Sequence, residues 1–175
     1  LQKRQFWQGK QSPRDLVGGT VKSILILCIG YPYTCDRGFG YHVAKRLEKI
    51  ELPENVECLE VGESSSEFDY LIDGRDKMIV VDAFQTKDEP GTILHMTPEN
   101  LPLKLGPGTD MGKFHLLETL EELQISGKSP ETIFVGVVPK DIETETPVPQ
   151  LTSEIESRIP EVIDLIMIGQ TRNTK

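Results

Sequence analysis

The chain has 175 residues, 37% apolar and 27% charged, with a formal net charge of −9. That balance suits one folded domain with a packed core rather than a disordered chain. The negative charge and the 6% aromatic content exclude a phosphate-tracking, base-stacking surface, so no nucleic-acid partner is expected, and no apolar run reaches the ~20 residues of a membrane span, so no membrane insertion is expected either.

Residues 1–20, LQKRQFWQGKQSPRDLVGGT, are polar, basic and without periodicity, and read as a flexible N-terminal arm. They lack the apolar central stretch of a signal peptide. Phe6 and Trp7 are the exception, an adjacent aromatic pair able to dock on a surface. Residues 21–175 are expected to form a single α/β domain. Ser23 to Ile29 is a continuous apolar run, the mark of a strand buried on both faces. Gly30 to Gly40 is rich in turn residues, and Gly38 to Ile50 reads as a helix with Val43, Leu47 and Ile50 on one side.

Val56 to Val61 alternates and predicts a second strand, followed by a short helix over Glu63 to Ile72. Met78 to Val81 is a third strand that ends at Asp82, and Thr92 to Met96 a fourth. Thr97 to Gly112, broken by prolines and glycines, predicts a long loop. His115 to Ile125 predicts a helix with Leu116, Leu120 and Leu123 on one face, and Ile133 to Val138 a buried strand. An acidic loop over Pro139 to Pro149 leads to a last helix, opened by a capping box from Ser153 and Glu156 and kinked or split by Pro160. Strands alternating with helices predict a three-layer α/β fold, a twisted and mostly parallel sheet of about five strands with helices on both faces.

Ligands of such sheets bind beyond the carboxyl ends of the strands. Asp36, Asp82 and His115 all fall on that edge, and imidazole nitrogen with carboxylate oxygen suits a nickel or zinc ion. Each residue also has a plainer reading. Asp36 precedes a helix and suits a cap. Asp82 suits an exposed strand-end turn, and His115 suits a surface or core position. His42 and His95 fall on an outer helical face and an edge strand. Cys28, Cys35 and Cys58 are odd in number and form no CxxC pair, which speaks for a reducing, cytoplasmic setting rather than a disulfide scaffold or zinc ribbon. Cys28 and Cys58 read as core residues. Cys35, in a loop, could be a nucleophile but has no His nearby in sequence. The glycines after the first strand lack GxGxxG spacing, so a dinucleotide site is not supported.

Four motifs together resemble the maturation endopeptidases of nickel-iron hydrogenases. The stretch CIGYPYTCDRGFG, Cys28 to Gly40, is similar to that family's GxGNPLxxDDGxG. IVVDAFQTKDEPGT, Ile79 to Thr92, keeps the acid and alanine that end the family's third strand. VGVVP, Val135 to Pro139, and LTSEIESRIP, Leu151 to Pro160, resemble the later strand and the opening of the last helix. The resemblance covers about residues 22–168 in order and spacing.

The resemblance implies a peptidase that removes a C-terminal peptide from a nickel-loaded hydrogenase large-subunit precursor, with no cofactor of its own and the nickel carried by the substrate. It implies Asp82 and Asp36 as catalytic acids, and Asp82, His115 and Asp36 as metal contacts. The second acid of the family's loop pair is Arg37 here, its Asn is Tyr31, and its His aligns with Gly112, three residues before His115. Asp110 is an alternative acid in the same loop. Those departures leave a second reading open, a non-catalytic relative that binds a hydrogenase subunit or another protein. An incomplete ligand set beside Arg37 also predicts weak nickel binding by the protein alone.

The arm yields a first prediction. A chain lacking residues 1–19 should keep its melting temperature within a few degrees; a large drop would mean that Phe6 and Trp7 are docked on the domain.

Overall fold

A computed structural model describes residues 22–62, 68–101, 111–142 and 146–171. The predicted arm, Asp110 and the first half of the helix expected over Glu63–Ile72 lie outside these residues. The strands are β1 (Ile24–Ile29), β2 (Val56–Val61), β3 (Lys77–Ala83), β4 (Ile93–Met96) and β5 (Glu131–Val137). The helices are α1 (Phe39–Leu47), α2 (Phe68–Ile72), α3 (Met111–Ile125), α4 (Ser153–Glu156) and α5 (Ile159–Thr171), with short 3-10 turns at Cys35–Gly38 and Pro98–Asn100.

The five strands form one sheet in the order β2-β1-β3-β5-β4. Every pairing is parallel except that of β4 with β5. Antiparallel β4 closes one edge, and its His95 is exposed. The architecture is therefore the expected one.

The apolar runs of β1 and β3 are explained by two cores, one on each face of the sheet. Ile24, Ile26 and Cys28 alternate with Leu25, Leu27 and Ile29 between them. The first core takes Phe39, Val43, Ala44 and Leu47 from α1 and Ile159, Val162 and Ile166 from α5. The second takes Phe68 and Ile72 from α2 and Leu116 and Leu120 from α3. Residues four apart share a helix face, so each helix meets the sheet along one stripe. Cys28 and Cys58 belong to the first core, Cys28 buried and Cys58 half-buried, with their sulfurs 4.0 Å apart. The hydrogen bond with Cys58, and then burial, push the Cys28 thiol up, so it stays protonated as a core residue.

Two boundaries moved, and the last helix is split as Pro160 predicted. Asp82 lies inside β3 rather than after it, because ladder pairing continues through Asp82↔Gly136 and Ala83↔Val137. His115 lies in the second turn of α3, which starts at Met111 instead of at His115. Pro160 falls on the second residue of α5, where its missing N–H is tolerated.

The start of α1 rests directly on the sheet. A Cβ built on Gly40 would stand 2.1 Å from the Ile29 carbonyl oxygen and 2.6 Å from that of Val81. Only glycine allows that approach, which seats α1 across the ends of β1 and β3. Gly40→Ala should therefore cost about 3 kcal/mol or more in a denaturant titration, with loss of expression as the extreme outcome. An unchanged midpoint would show that α1 does not press on these carbonyls.

Candidate functional site

The carboxyl ends of β1 and β3, which are adjacent, carry Asp36 and Asp82 to the same edge of the sheet. The two acids do different work there. Asp36 is completely buried. Its Oδ2 accepts the backbone N–H groups of Lys140 (3.0 Å) and Asp141 (2.9 Å) and the Thr152 hydroxyl (3.0 Å), while Oδ1 accepts the Thr152 N–H (2.8 Å). These charge-assisted bonds hold the connection from β5 to α4 against the loop after β1.

The Asp36 N–H donates in turn to the Asp141 carbonyl, and Cys35 N–H to that of Val148. Thr34 and Val148 form an isolated parallel bridge beside them. Four donors thus converge on the carboxylate of Asp36, so the acid expected to be catalytic and metal-contacting is placed in a tie between two loops. The capping box expected from Ser153 and Glu156 is corrected by the same contact. The N-cap residue of α4 is Thr152, which makes no side-chain cap because its hydroxyl is given to Asp36.

Asp82 faces the other side of the sheet. Met78 and Val80 share its parity in β3 and pack in the second core, under α3. Its Oδ1 accepts the Ala83 N–H at 2.6 Å, and its Oδ2 stands 2.8 Å from the Lys113 ammonium. The pair is nearly buried, with side chains 6% exposed for Asp82 and 12% for Lys113. Asp82 is thus not the exposed strand-end acid that its place in sequence suggested. Lys113 also lies 5.2 Å from the centre of the Phe84 ring, within reach of a cation–π contact. Phe84 itself stacks edge-to-face on Phe134, with centroids 6.2 Å apart. Directly across from Asp82, Gly136 leaves no room for a side chain. A Cβ there would come within 2.0 Å of the Asp82 carbonyl oxygen and 2.6 Å of the Phe84 ring.

His115 is exposed, two residues beyond Lys113 on α3. Successive helical residues turn by ~100°, so the two side chains leave the helix on nearly opposite sides. Since Lys113 faces Asp82, His115 does not. Among the described residues, no group of three His, Cys, Asp or Glu side chains is placed to hold a metal ion. The expected Asp82–His115–Asp36 ligand set is therefore not assembled, because one acid is saturated and the His sits on the far side of its helix. Cys35 is buried and its thiol is pushed up, first by burial and then by the Asp36 charge, which removes the nucleophile reading. Arg37 is exposed on the 3-10 turn. Lys113 is the residue that sequence reasoning missed; only its adjacency to Gly112, where the family pattern places a His, pointed to it.

The structural reading of Asp36 is testable. Asp36→Ala leaves three backbone N–H groups and a hydroxyl without their acceptor, and should cost about 3 kcal/mol or more in chemical denaturation. A cost below about 1 kcal/mol would show that the two loops are held by something else.

Known proteins share this fold and chain. The family model for hydrogenase maturation proteases matches residues 41–168. A putative hydrogenase maturation protease of Methanocaldococcus jannaschii is 32% identical over 148 residues, covering 83% of this chain and 95% of its own. The hydrogenase 2 maturation protease of Escherichia coli is 28% identical, with 82% and 88% of the two chains covered. The structure of the E. coli hydrogenase maturating endopeptidase HybD superposes with a TM-score of 0.73 at 27% identity, over 83% of this chain and 90% of that one. The resemblance carried by the four motifs thus extends over most of the chain, which belongs to the hydrogenase maturation protease family, as a peptidase.

Proposed function

We propose that this peptidase removes a C-terminal peptide from the precursor of a hydrogenase large subunit, that the nickel beside the cut belongs to that substrate, and that Asp82 is the carboxylate that meets it. The observation that carries the reading is the placement of Asp82. It is an acid held in a central strand directly after the apolar run Met78 to Val81, on the edge where open α/β sheets receive their ligands. A lone acid among buried Met78, Ile79, Val80 and Val81 is costly unless it has work to do. Family membership supports the substrate class, since the relatives are named for maturing hydrogenases.

In this reading the protein brings no cofactor of its own and works in the cytoplasm, where the precursor is made. Among the described residues, no helix is long and apolar enough to cross a membrane. Asp82 contributes negative charge at a fixed place, oriented by the Ala83 N–H. Asp36 contributes by holding the loop that carries Tyr31, Tyr33 and Arg37 at the same edge. His115, outside the reach of Asp82, serves no metal contact here.

The test is processing of a nickel-loaded precursor, followed as mass loss of its tail. Asp82→Asn keeps the shape of the side chain and removes its charge. Processing should fall by about 10²–10³-fold, the usual cost of losing an electrostatic contact at a reacting centre. The melting temperature should fall too, because the nearly buried Asp82–Lys113 ion pair is broken from one side. Rates are therefore to be compared below the transition of the variant. Equal rates for Asp82→Asn and wild type would remove Asp82 from the site. Failure of the wild type to cut its own organism's precursor would leave a protein that binds the subunit without cleaving it.

A further inference from the structure

The chain turns sharply after β1, through Tyr31-Pro32-Tyr33-Thr34. The Thr34 N–H donates to the Tyr31 carbonyl at 3.3 Å, and the Thr34 hydroxyl donates to the same oxygen at 2.7 Å. These bonds close a four-residue turn with Pro32, whose ring fixes φ, at its second position. The Tyr31 carbonyl also lies against Gly38, where a Cβ would come within 2.6 Å of its oxygen. The Tyr33 carbonyl accepts the Val148 N–H at 3.0 Å, and the Cys35 N–H returns to the Val148 carbonyl, also at 3.0 Å. The backbone of both tyrosines is therefore fixed. Their side chains nonetheless stand outward, with the residues 52% and 50% exposed and the rings edge-to-face at 5.8 Å. Apolar residues scattered singly over a surface need no explanation. Two aromatic rings held together on a rigid turn have the composition and the preorganisation of a protein-binding anchor.

Taking the hydrogenase precursor as the substrate, as proposed above, we infer that Tyr31 and Tyr33 are substrate-binding residues: an aromatic anchor that holds an extended, apolar segment of the precursor's C-terminal tail along the active edge. Three observations favour that occupant. The turn directly follows β1, the parallel neighbour of β3, so a polypeptide laid along the edge that carries Asp82 meets the rings. The fold has already ordered the turn, so binding there loses little further conformational freedom. Arg37, exposed on the 3-10 turn of the same loop, adds positive charge to this edge of a chain whose net charge is −9. That charge opposes a basic partner and suits a segment that ends in a carboxylate, as every C-terminal tail does. The ring faces would pack aliphatic or proline side chains, and each phenol hydroxyl can donate to a carbonyl of the extended segment.

Turnover and binding by the full chain test this. With nickel-loaded precursor, the double variant Tyr31→Ala, Tyr33→Ala should raise KM about tenfold while kcat stays within about threefold, because the rings grip the tail without touching the reacting bond. The double variant Tyr31→Phe, Tyr33→Phe keeps both rings and should stay within about threefold of wild type in KM. The melting temperature of the alanine variant should stay within a few degrees of wild type, since the turn is closed by backbone groups and Thr34. In calorimetric titration, a synthetic peptide of the precursor's tail should bind wild type about tenfold more tightly than the alanine variant. The mature subunit, which lacks the tail, should bind both proteins alike. Unchanged KM in the alanine variant would overturn the inference and leave the tyrosines off the substrate's path. A loss confined to kcat would also overturn it, as would weaker binding of the mature subunit by the variant, which would place the contact on the body of the subunit. If no protein cuts any precursor, the proposed function fails; the peptide titration still decides whether the rings hold the tail, and equal affinity for wild type and variant would show that they do not. Should the double alanine variant not fold, Tyr31→Ala and Tyr33→Ala singly decide in the same assays.

Discussion

The buried Asp36 carboxylate is the contact on which the active edge of this fold depends. It sits between the loop after β1 and the stretch that runs from β5 into α4, segments more than a hundred residues apart in sequence. Without it, the backbone N–H groups of Lys140, Asp141 and Thr152 would be left to find other partners. Burial of this polar group is offset by the four donors that converge on its two oxygens. The tie also sustains a conformation that would not persist alone. Cys35, next to Asp36, has φ +48°, a left-handed backbone at a residue with a side chain. Its N–H is fixed by the Val148 carbonyl and its chain direction by the Thr34–Val148 bridge. A rigid frame results, and it holds Tyr31 and Tyr33 outward, stacked edge-to-face with centroids 5.8 Å apart and each about half exposed.

Asp82 occupies the same edge under an opposite constraint. Asp36 is satisfied by backbone donors that cannot leave without opening the fold. Asp82 is satisfied on one oxygen by its neighbour's N–H and on the other by the end of a mobile side-chain type, a lysine. A buried ion pair of this kind contributes little net stability, because desolvation of both charges offsets their attraction. With the Ala83 N–H on the other oxygen, it fixes the place and orientation of the Asp82 carboxylate within the strand. The glycine at position 136 fits the same picture, since the β3–β5 ladder at this point has space for the Asp82 carbonyl and the Phe84 ring and for nothing else. Crowding there fixes the ring that lies under Lys113.

Much of this was legible in the chain itself. Continuous apolar runs marked β1, β3 and β5, and the four-residue spacing of Leu116 and Leu120 or Val162 and Ile166 marked helix faces, because burial on one side imposes the period of the element. The alternation of strands and helices determined a parallel sheet with two cores, since crossover helices must cover both faces. The motif order determined the family, and strand-end position alone brought Asp36 and Asp82 to one edge.

What the sequence could not decide was how the charges there are partnered. Asp36 and Asp82 are both acids following apolar runs, and nothing local distinguishes the one that takes four hydrogen bonds from loops over a hundred residues away from the one that pairs with a lysine. His115 fitted a ligand by spacing, but a helix beginning four residues earlier than expected turned it away and turned Lys113 inward. Side-chain periodicity is a local property and is written in the chain. The partners of a buried charge are chosen by contacts distant in sequence, which exist only once the sheet, α3 and the β5–α4 connection have come together.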